Sequence, residues 1–233
     1  MQIEIWSDFV CPFCYIGKTR LEQALERFPQ NLDVSIQYKS FELDPNAAKY
    51  SGKNIHESLA AKYNMTIDQA KEANQQIGEQ AKAVGLDFVF DTMKPGNTFD
   101  AHRLSKYART LNREAEYIDT MLYQYFTLSK DLSDKETLQS ITNELGFDQK
   151  EVQRILEDET IHADLVRRDE TEAQQLGVTG VPFFVINKKY AISGAQPIET
   201  FMQALEKVAE EENNQLENLN LQQGSFCDGD HCK

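Results

Sequence analysis

Cys11-Pro12-Phe13-Cys14 stands where one periodicity stops and another begins. Before it, Ile3, Ile5 and Ser7 alternate with Gln2, Glu4 and Trp6, the period of a β-strand. After it, Cys14, Gly17, Leu21, Ala24, Leu25 and Phe28 fall three and four apart, the stripe of an amphipathic helix. Pro12 suits the first helical position, because its missing N–H would be unpaired there anyway, and this makes Cys11 the N-cap. A strand thus delivers two cysteines to a helix N-terminus, with Cys14 one turn in on the buried stripe. Any fold for this chain has to contain that junction.

The junction has a chemical consequence. A thiolate at Cys11 would accept hydrogen bonds from the free N–H groups of the first turn at the positive end of the helix dipole, so its pKa is expected to fall. Cys11 is then the exposed nucleophile, and Cys14, with a more normal pKa, is placed to attack a mixed disulfide formed by Cys11. Half of a zinc site and an unreactive pair are the competing readings. The N-terminus shows no basic segment, apolar core or small-residue cleavage site, which places the chain in the cytoplasm. In a reducing compartment, close pairs such as Cys11/Cys14 and Cys227/Cys232 are redox-active or metal-binding more often than structural.

Beyond a turn at Asn31, Leu32, Val34, Ile36 and Tyr38 alternate in a second strand ending near Phe41, parallel to the first because a helix joins them. From Asp44 to Leu176 the chain is a succession of capped helices, with Leu86 to Phe90 the longest strand-like fragment. Thr66 with Gln69 and Asp148 with Glu151 form capping-box patterns, and Gly85, Gly146 and Gly177 act as stops. Further helices start at Asn97 with the stripe Ala101, Leu104, Ala108 and Leu111, and run along Ala115 to Phe126, from Asp134 to Leu145 and from Thr160 to Leu176. The period then reverts: Val181 to Ile186 and Tyr190 to Ser193 flank an Asn187-Lys188-Lys189 turn, and Ile198 to Val208 is a final helix. This order predicts an α/β thioredoxin fold with a large all-helical insertion between its βαβ and ββα halves. The expected units are residues 1–43 with 177–212, an insertion at 44–176, and a flexible tail at 213–233.

Composition narrows the function classes. The net charge of −14 repels phosphate backbones and anionic lipid, so neither nucleic acid nor membrane is an expected partner. No apolar run approaches the roughly 18 residues needed to span a bilayer. With 233 residues the chain can bury a self-sufficient core, so its four cysteines are not needed as a structural framework.

A second motif, Gly177-Val178-Thr179-Gly180-Val181-Pro182, enters the third strand. A proline at the head of a strand is awkward unless it serves geometry. In a thioredoxin fold the bond before it is typically cis, which presents the Val181 backbone to an extended substrate beside the sulfur. A trans proline ending the loop is the alternative.

Ser7 to Tyr15, Asn97 to Arg103 and Leu176 to Phe183 together resemble the DsbA-like thioredoxin superfamily, specifically its FrnE branch, over roughly residues 2 to 208. The resemblance implies a thiol-disulfide oxidoreductase or isomerase acting on protein or small disulfides, with catalytic Cys11 and Cys14 and with Pro182 facing them. No cofactor is implied beyond the redox disulfide, with glutathione or a thioredoxin-type protein as possible reductant. Periplasmic DsbA carries Pro-His between its cysteines where this chain has Pro12-Phe13, which implies a weaker oxidant. Phe13, Val181, Pro182 and His102 are the substrate-binding candidates. His102 lies off the helical stripe, so it is either solvated on a polar face or close to the site mouth. The related kappa-class transferases and 2-hydroxychromene-2-carboxylate isomerases supply the alternative, a glutathione-dependent small-molecule enzyme. Those enzymes typically use a serine and need no Cys14.

Cys227-Asp228-Gly229-Asp230-His231-Cys232 is a Cys-x4-Cys pair that fits a second redox dithiol, a metal clasp or an inert tail. Metal is not expected at the main site. Protein thiols and disulfides are the expected partners of a monomer or homodimer.

Overall fold

A computed structural model of the chain describes residues 1–28, 33–50, 52–221, 227–228 and 231–232. Asn31 and Leu32 lie outside these residues. The first half of the core is β1 (Gln2–Ser7), α1 (Pro12–Arg27) and β2 (Ser35–Ser40). Seven helices follow: α2 (Ile55–Tyr63), α3 (Ile67–Lys82), α4 (Phe99–Thr110), α5 (Glu114–Phe126), α6 (Lys135–Glu144), α7 (Gln149–Glu157) and α8 (Ala163–Gln175). The second half is β3 (Phe183–Ile186), β4 (Tyr190–Ser193) and α9 (Ile198–Leu221). The four strands form one sheet in the order β2-β1-β3-β4, with β1 parallel to β2 and the other pairs antiparallel. This is a thioredoxin-fold core with a helical insertion, α2 to α8, between its halves.

Several local expectations change. Strand β1 does not alternate between core and solvent, because Glu4 and Trp6 are as buried as Ile3 and Ile5. As a central strand it is covered on both faces. The Leu86 to Phe90 segment forms no strand. Its Val89 N–H donates to the Phe126 carbonyl at the end of α5, and Phe88 stacks on Phe126, so no sheet edge lies beside it. Helix α2 escaped the periodicity reading, although Asn54 and Glu57 form a complete capping box at its start. Asp148 caps α7 through the Lys150 N–H, while Glu151 pairs with Arg154 instead of closing a box. Helix α9 runs to Leu221, past the expected tail boundary, because Glu, Gln and Leu in this stretch are good helix formers despite its polarity.

Helix α1 lies close against the Pro182 loop. A Cβ on Gly17 would stand 2.9 Å from Pro182 Cγ and 3.2 Å from Phe184 Cζ, so only glycine allows this approach.

The insertion is clamped to the sheet by buried charge. Lys106 Nζ on α4 donates to Asp169 Oδ2 on α8 at 2.5 Å, and the Ser40 N–H of β2 donates to the same oxygen at 3.0 Å. Lys39 Nζ lies 3.3 Å from Glu4 and 3.6 Å from Asp169, and donates to Glu172 at 2.8 Å. The Trp6 indole N–H donates to the Asp169 carbonyl at 2.9 Å. Burial pushes the Asp169 carboxyl upward, but Lys106, the Ser40 N–H and Lys39 outweigh it and hold it below the usual carboxylate range.

Removing one partner of such a cluster leaves the others buried and unpaired. Asp169→Asn is therefore expected to cost about 3–5 kcal/mol, measured by denaturant unfolding followed through Trp6, the single tryptophan. Because the folded-state value is depressed, the carboxylate stabilises the fold above its unfolded pKa and loses that effect as pH falls through the folded one. The variant should lack that part of the acid-induced loss of stability.

Candidate active site

Cys11 is the N-cap of α1, with extended backbone at φ −90° and ψ 112°, and Pro12 opens the helix. Its N–H donates to the Asp8 carbonyl at 3.2 Å, and the Cys14 N–H donates to the Cys11 carbonyl at 3.0 Å. The loop from Ser7 to Cys14 is thus folded back on itself. Both cysteines are free thiols.

Cys14 is buried, as its place on the helical stripe predicts, but the exposure of Cys11 differs from the sequence expectation. Cys11 is only 4% exposed, because its thiol lies under the Val181 loop and donates to the Val181 carbonyl at 3.5 Å. Cys14 is 2% exposed, and its thiol does not keep an ordinary pKa. Burial, then the hydrogen bond and charge of Cys11, push it well above the normal range, while hydrogen bonds offered by the Ser7 hydroxyl and the Asp8 N–H act in the opposite sense. A thiol on an inward helical stripe has no water to solvate its anion, so helix position and desolvation pull apart here.

The Val181-Pro182 peptide bond is cis. Pro182 is buried against Gly17, and Val181 is half-buried next to Cys11. Phe13, 37% exposed, is the large apolar side chain that the Cys11-Cys14 turn presents to solvent. Cys11, Cys14, Val181 and Pro182 therefore meet at one place.

His102 is not on a solvated face. It is 3% exposed, in a helix whose residues from Ala101 to Ala108 are all buried. Its Nε2 lies 3.4 Å from Asp8 Oδ1, and the other Asp8 oxygen accepts the Leu43 N–H at 2.8 Å. Helix α4 looked half-polar because Arg103, Ser105 and Lys106 interrupt its apolar stripe. Each bonds inside the protein: Arg103 donates through Nη1 to the carbonyls of Ile155, Asp158 and Ile161 while its Nε has no partner, Ser105 donates to the His102 carbonyl, and Lys106 to Asp169.

Ser7 and Asp8 were not singled out from the sequence as site residues. The available signal was a serine and a carboxylate inside the otherwise apolar run from Trp6 to Val10. The tail pair lies elsewhere in the chain, in a short hairpin of β5 (Cys227–Asp228) and β6 (His231–Cys232) whose backbone register sets Cys227 opposite Cys232.

Solved structures share this fold. A protein described as a probable DsbA oxidoreductase from Streptomyces coelicolor is 38% identical, with a TM-score of 0.86 over 100% of this chain and 98% of its own. A 2-hydroxychromene-2-carboxylate isomerase is 14% identical with a TM-score of 0.68, covering 92% of this chain and 98% of its own. The cytosolic disulfide reductase DsbM of Pseudomonas aeruginosa is 13% identical with a TM-score of 0.63, covering 90% of this chain and 99% of its own. At those two identities the likeness is one of fold. The sequence matches the DSBA-like thioredoxin domain over residues 2–206, and the chain belongs to that family.

Proposed function

We propose that the protein is a thiol-disulfide oxidoreductase or isomerase acting on protein disulfides through Cys11 and Cys14. The observation that carries this reading is the placement of two free thiols at one helix N-terminus, the outer one in contact with the Val181 carbonyl. Cys11, at the N-terminus of α1, attacks a substrate disulfide. The backbone of Val181, freed from Cys11 when substrate arrives, pairs with the extended chain around the substrate cysteine, and Phe13 offers apolar contact. Cys14 then closes the Cys11-Cys14 disulfide and releases the substrate thiol.

A buried second thiol, acted on by Ser7 and Asp8, has no task in an enzyme with a single nucleophile. That argues against the glutathione-dependent isomerase reading despite the shared fold. The FrnE-branch reading is supported by the three motifs at Ser7 to Tyr15, Asn97 to Arg103 and Leu176 to Phe183. Among the described residues, no helix is long and apolar enough to cross a membrane. A cytoplasmic site of action is supported by the cytosolic disulfide reductase DsbM, which has the same fold. We read Cys227 and Cys232 as a second redox pair, supported by their opposed backbone positions in the tail hairpin.

Three outcomes test these readings. Cys14→Ser should accumulate a mixed disulfide with a reduced-and-reoxidised protein substrate, visible on non-reducing gels, whereas Cys11→Ser should not; trapping by Cys11→Ser alone would reverse the roles. The Cys11-Cys14 couple should equilibrate with glutathione at about −180 to −270 mV, and a value near −120 mV would mark a dedicated oxidant instead. Deleting residues 225–233 should lower refolding activity on a scrambled disulfide protein, and unchanged activity would leave the tail without a redox part.

A further inference from the structure

The segment from Leu86 to Phe90 reads as a strand yet pairs with none, and its contacts give it another use. Phe88 is buried in an aromatic stack: Phe126 lies 4.5 Å from it, Tyr15 of α1 lies 5.7 Å away, and Phe90 meets it edge-on at 5.9 Å. Backbone and hydroxyl bonds then fix what stands outside the stack. The Val89 N–H donates to the Phe126 carbonyl at 2.8 Å, the Leu128 N–H to the Tyr123 carbonyl at 3.2 Å, and the Ser129 hydroxyl to the Val89 carbonyl at 3.3 Å. Val89, Tyr123 and Leu128 are thus held on joined segments, and they are 37%, 47% and 46% exposed. One exposed apolar side chain is ordinary, whereas several on segments tied together mark a contact surface.

The rim of this surface is acidic. Asp87 and Asp91 flank the stacked segment, both exposed, with Asp91 also meeting His56. Asp119 stands one turn before Tyr123 on α5 and shares Lys18 with Glu22. Lys18 is buried beneath those two carboxylates, and Lys130, next to Ser129, is the exposed base beside the rim. A second copy of the chain would bring like charge against like here, and polyanions meet the same repulsion. The complementary occupant is a polypeptide segment with apolar side chains beside lysine or arginine. Position relates the surface to the thiol. Tyr15 lies four residues beyond Cys11, about 6 Å along the helix axis. Tyr15 and Gly17 are two positions apart and so face opposite sides of α1, and Gly17 is the residue packed against Pro182. The surface therefore lies across α1 from the Val181 loop.

We propose that Val89, Tyr123 and Leu128 form a docking surface for a segment of the substrate polypeptide that carries apolar side chains beside basic ones, held while its cysteine reacts at Cys11. This rests on the thiol-disulfide reading of the site and adds a substrate class to it. Sulfur exchange at Cys11 does not by itself distinguish one cysteine from another. A second grip on the far side of α1 does, because burying apolar side chains contributes in proportion to the area removed from water, and the rim carboxylates steer and orient a basic segment. Both the Leu86 to Phe90 segment and α5 belong to the helical insertion, so the insertion takes part in choosing the substrate.

The test uses the full chain and a fluorescent peptide in which a run of leucines precedes a pair of lysines, with serine where its cysteine would stand. Binding is read by anisotropy. Tyr123→Ser combined with Leu128→Ser should raise Kd about tenfold or more, since two apolar contacts are lost. On the native protein, replacing the leucines by serine should weaken binding at least as much. Replacing the lysines by glutamate should weaken it more at low salt than at high salt. With the cysteine restored and joined to a coloured aromatic thiol, the Cys11-dependent release of colour in the double variant should need about tenfold more peptide to saturate, at the same limiting rate. Equal binding of the leucine and serine peptides by the native protein overturns the proposal, and that comparison needs no variant to fold. An unchanged Kd in the folded double variant overturns it too, as does self-association of the native protein through these residues, which would make a second copy the occupant. Peptide binding without any release of colour by the native protein would be a failure of the thiol reading and not of the surface.

Discussion

The carboxylate of Asp169 is where the two parts of this protein are joined. It takes Lys106 from the insertion, the Ser40 N–H and Lys39 from β2, while its backbone carbonyl receives the Trp6 indole from β1. A buried ion cluster is weak evidence for net stability, since desolving each charge costs several kcal/mol that its partners only partly return. Its effect here is orientation. An apolar interface of the same size would tolerate sliding of α4 and α8 over the sheet. Fixed donor and acceptor positions allow one register, and that register brings His102 against Asp8.

The site follows from this placement and from the short path between Ser7 and Cys14. Eight consecutive residues carry the strand end, the loop, both thiols and the first turn of α1. What they lack is a wall. The Val181 loop supplies it on one side, admitted by the missing side chain of Gly17, and α4 supplies it from below. The outer thiol bonds to the Val181 backbone carbonyl, the contact that a substrate strand would replace in the proposed function. The inner thiol is covered by protein and desolvated.

The acidic surface is compatible with the proposed function, in which sulfur and backbone groups contact the substrate. A net charge of −14 limits self-association and non-specific binding to polyanions, and it does not bear on the proposed recognition through Phe13 and the Val181 backbone.

How far the chain could be read without coordinates depends on range. The junction at Cys11, the helical stripe of α1, the interrupted thioredoxin order and the site proline are local patterns, set by period, capping and the special geometry of proline. They were legible because each depends on residues close in the chain. The burial of Cys11, the raised thiol of Cys14 and the inward orientation of His102 were not. Cys11 and His102 each depend on a partner far away in sequence, and the Cys14 thiol on how completely it is desolvated, whereas periodicity describes only the element itself. In α4 the polar residues Arg103, Ser105 and Lys106 imitate a solvent face, because a residue type does not reveal whether its partner is water or a buried carbonyl. Sequence determined which residues could carry sulfur chemistry. Tertiary structure alone decided which of them meet solvent, since desolvation is a property of what packs around a group.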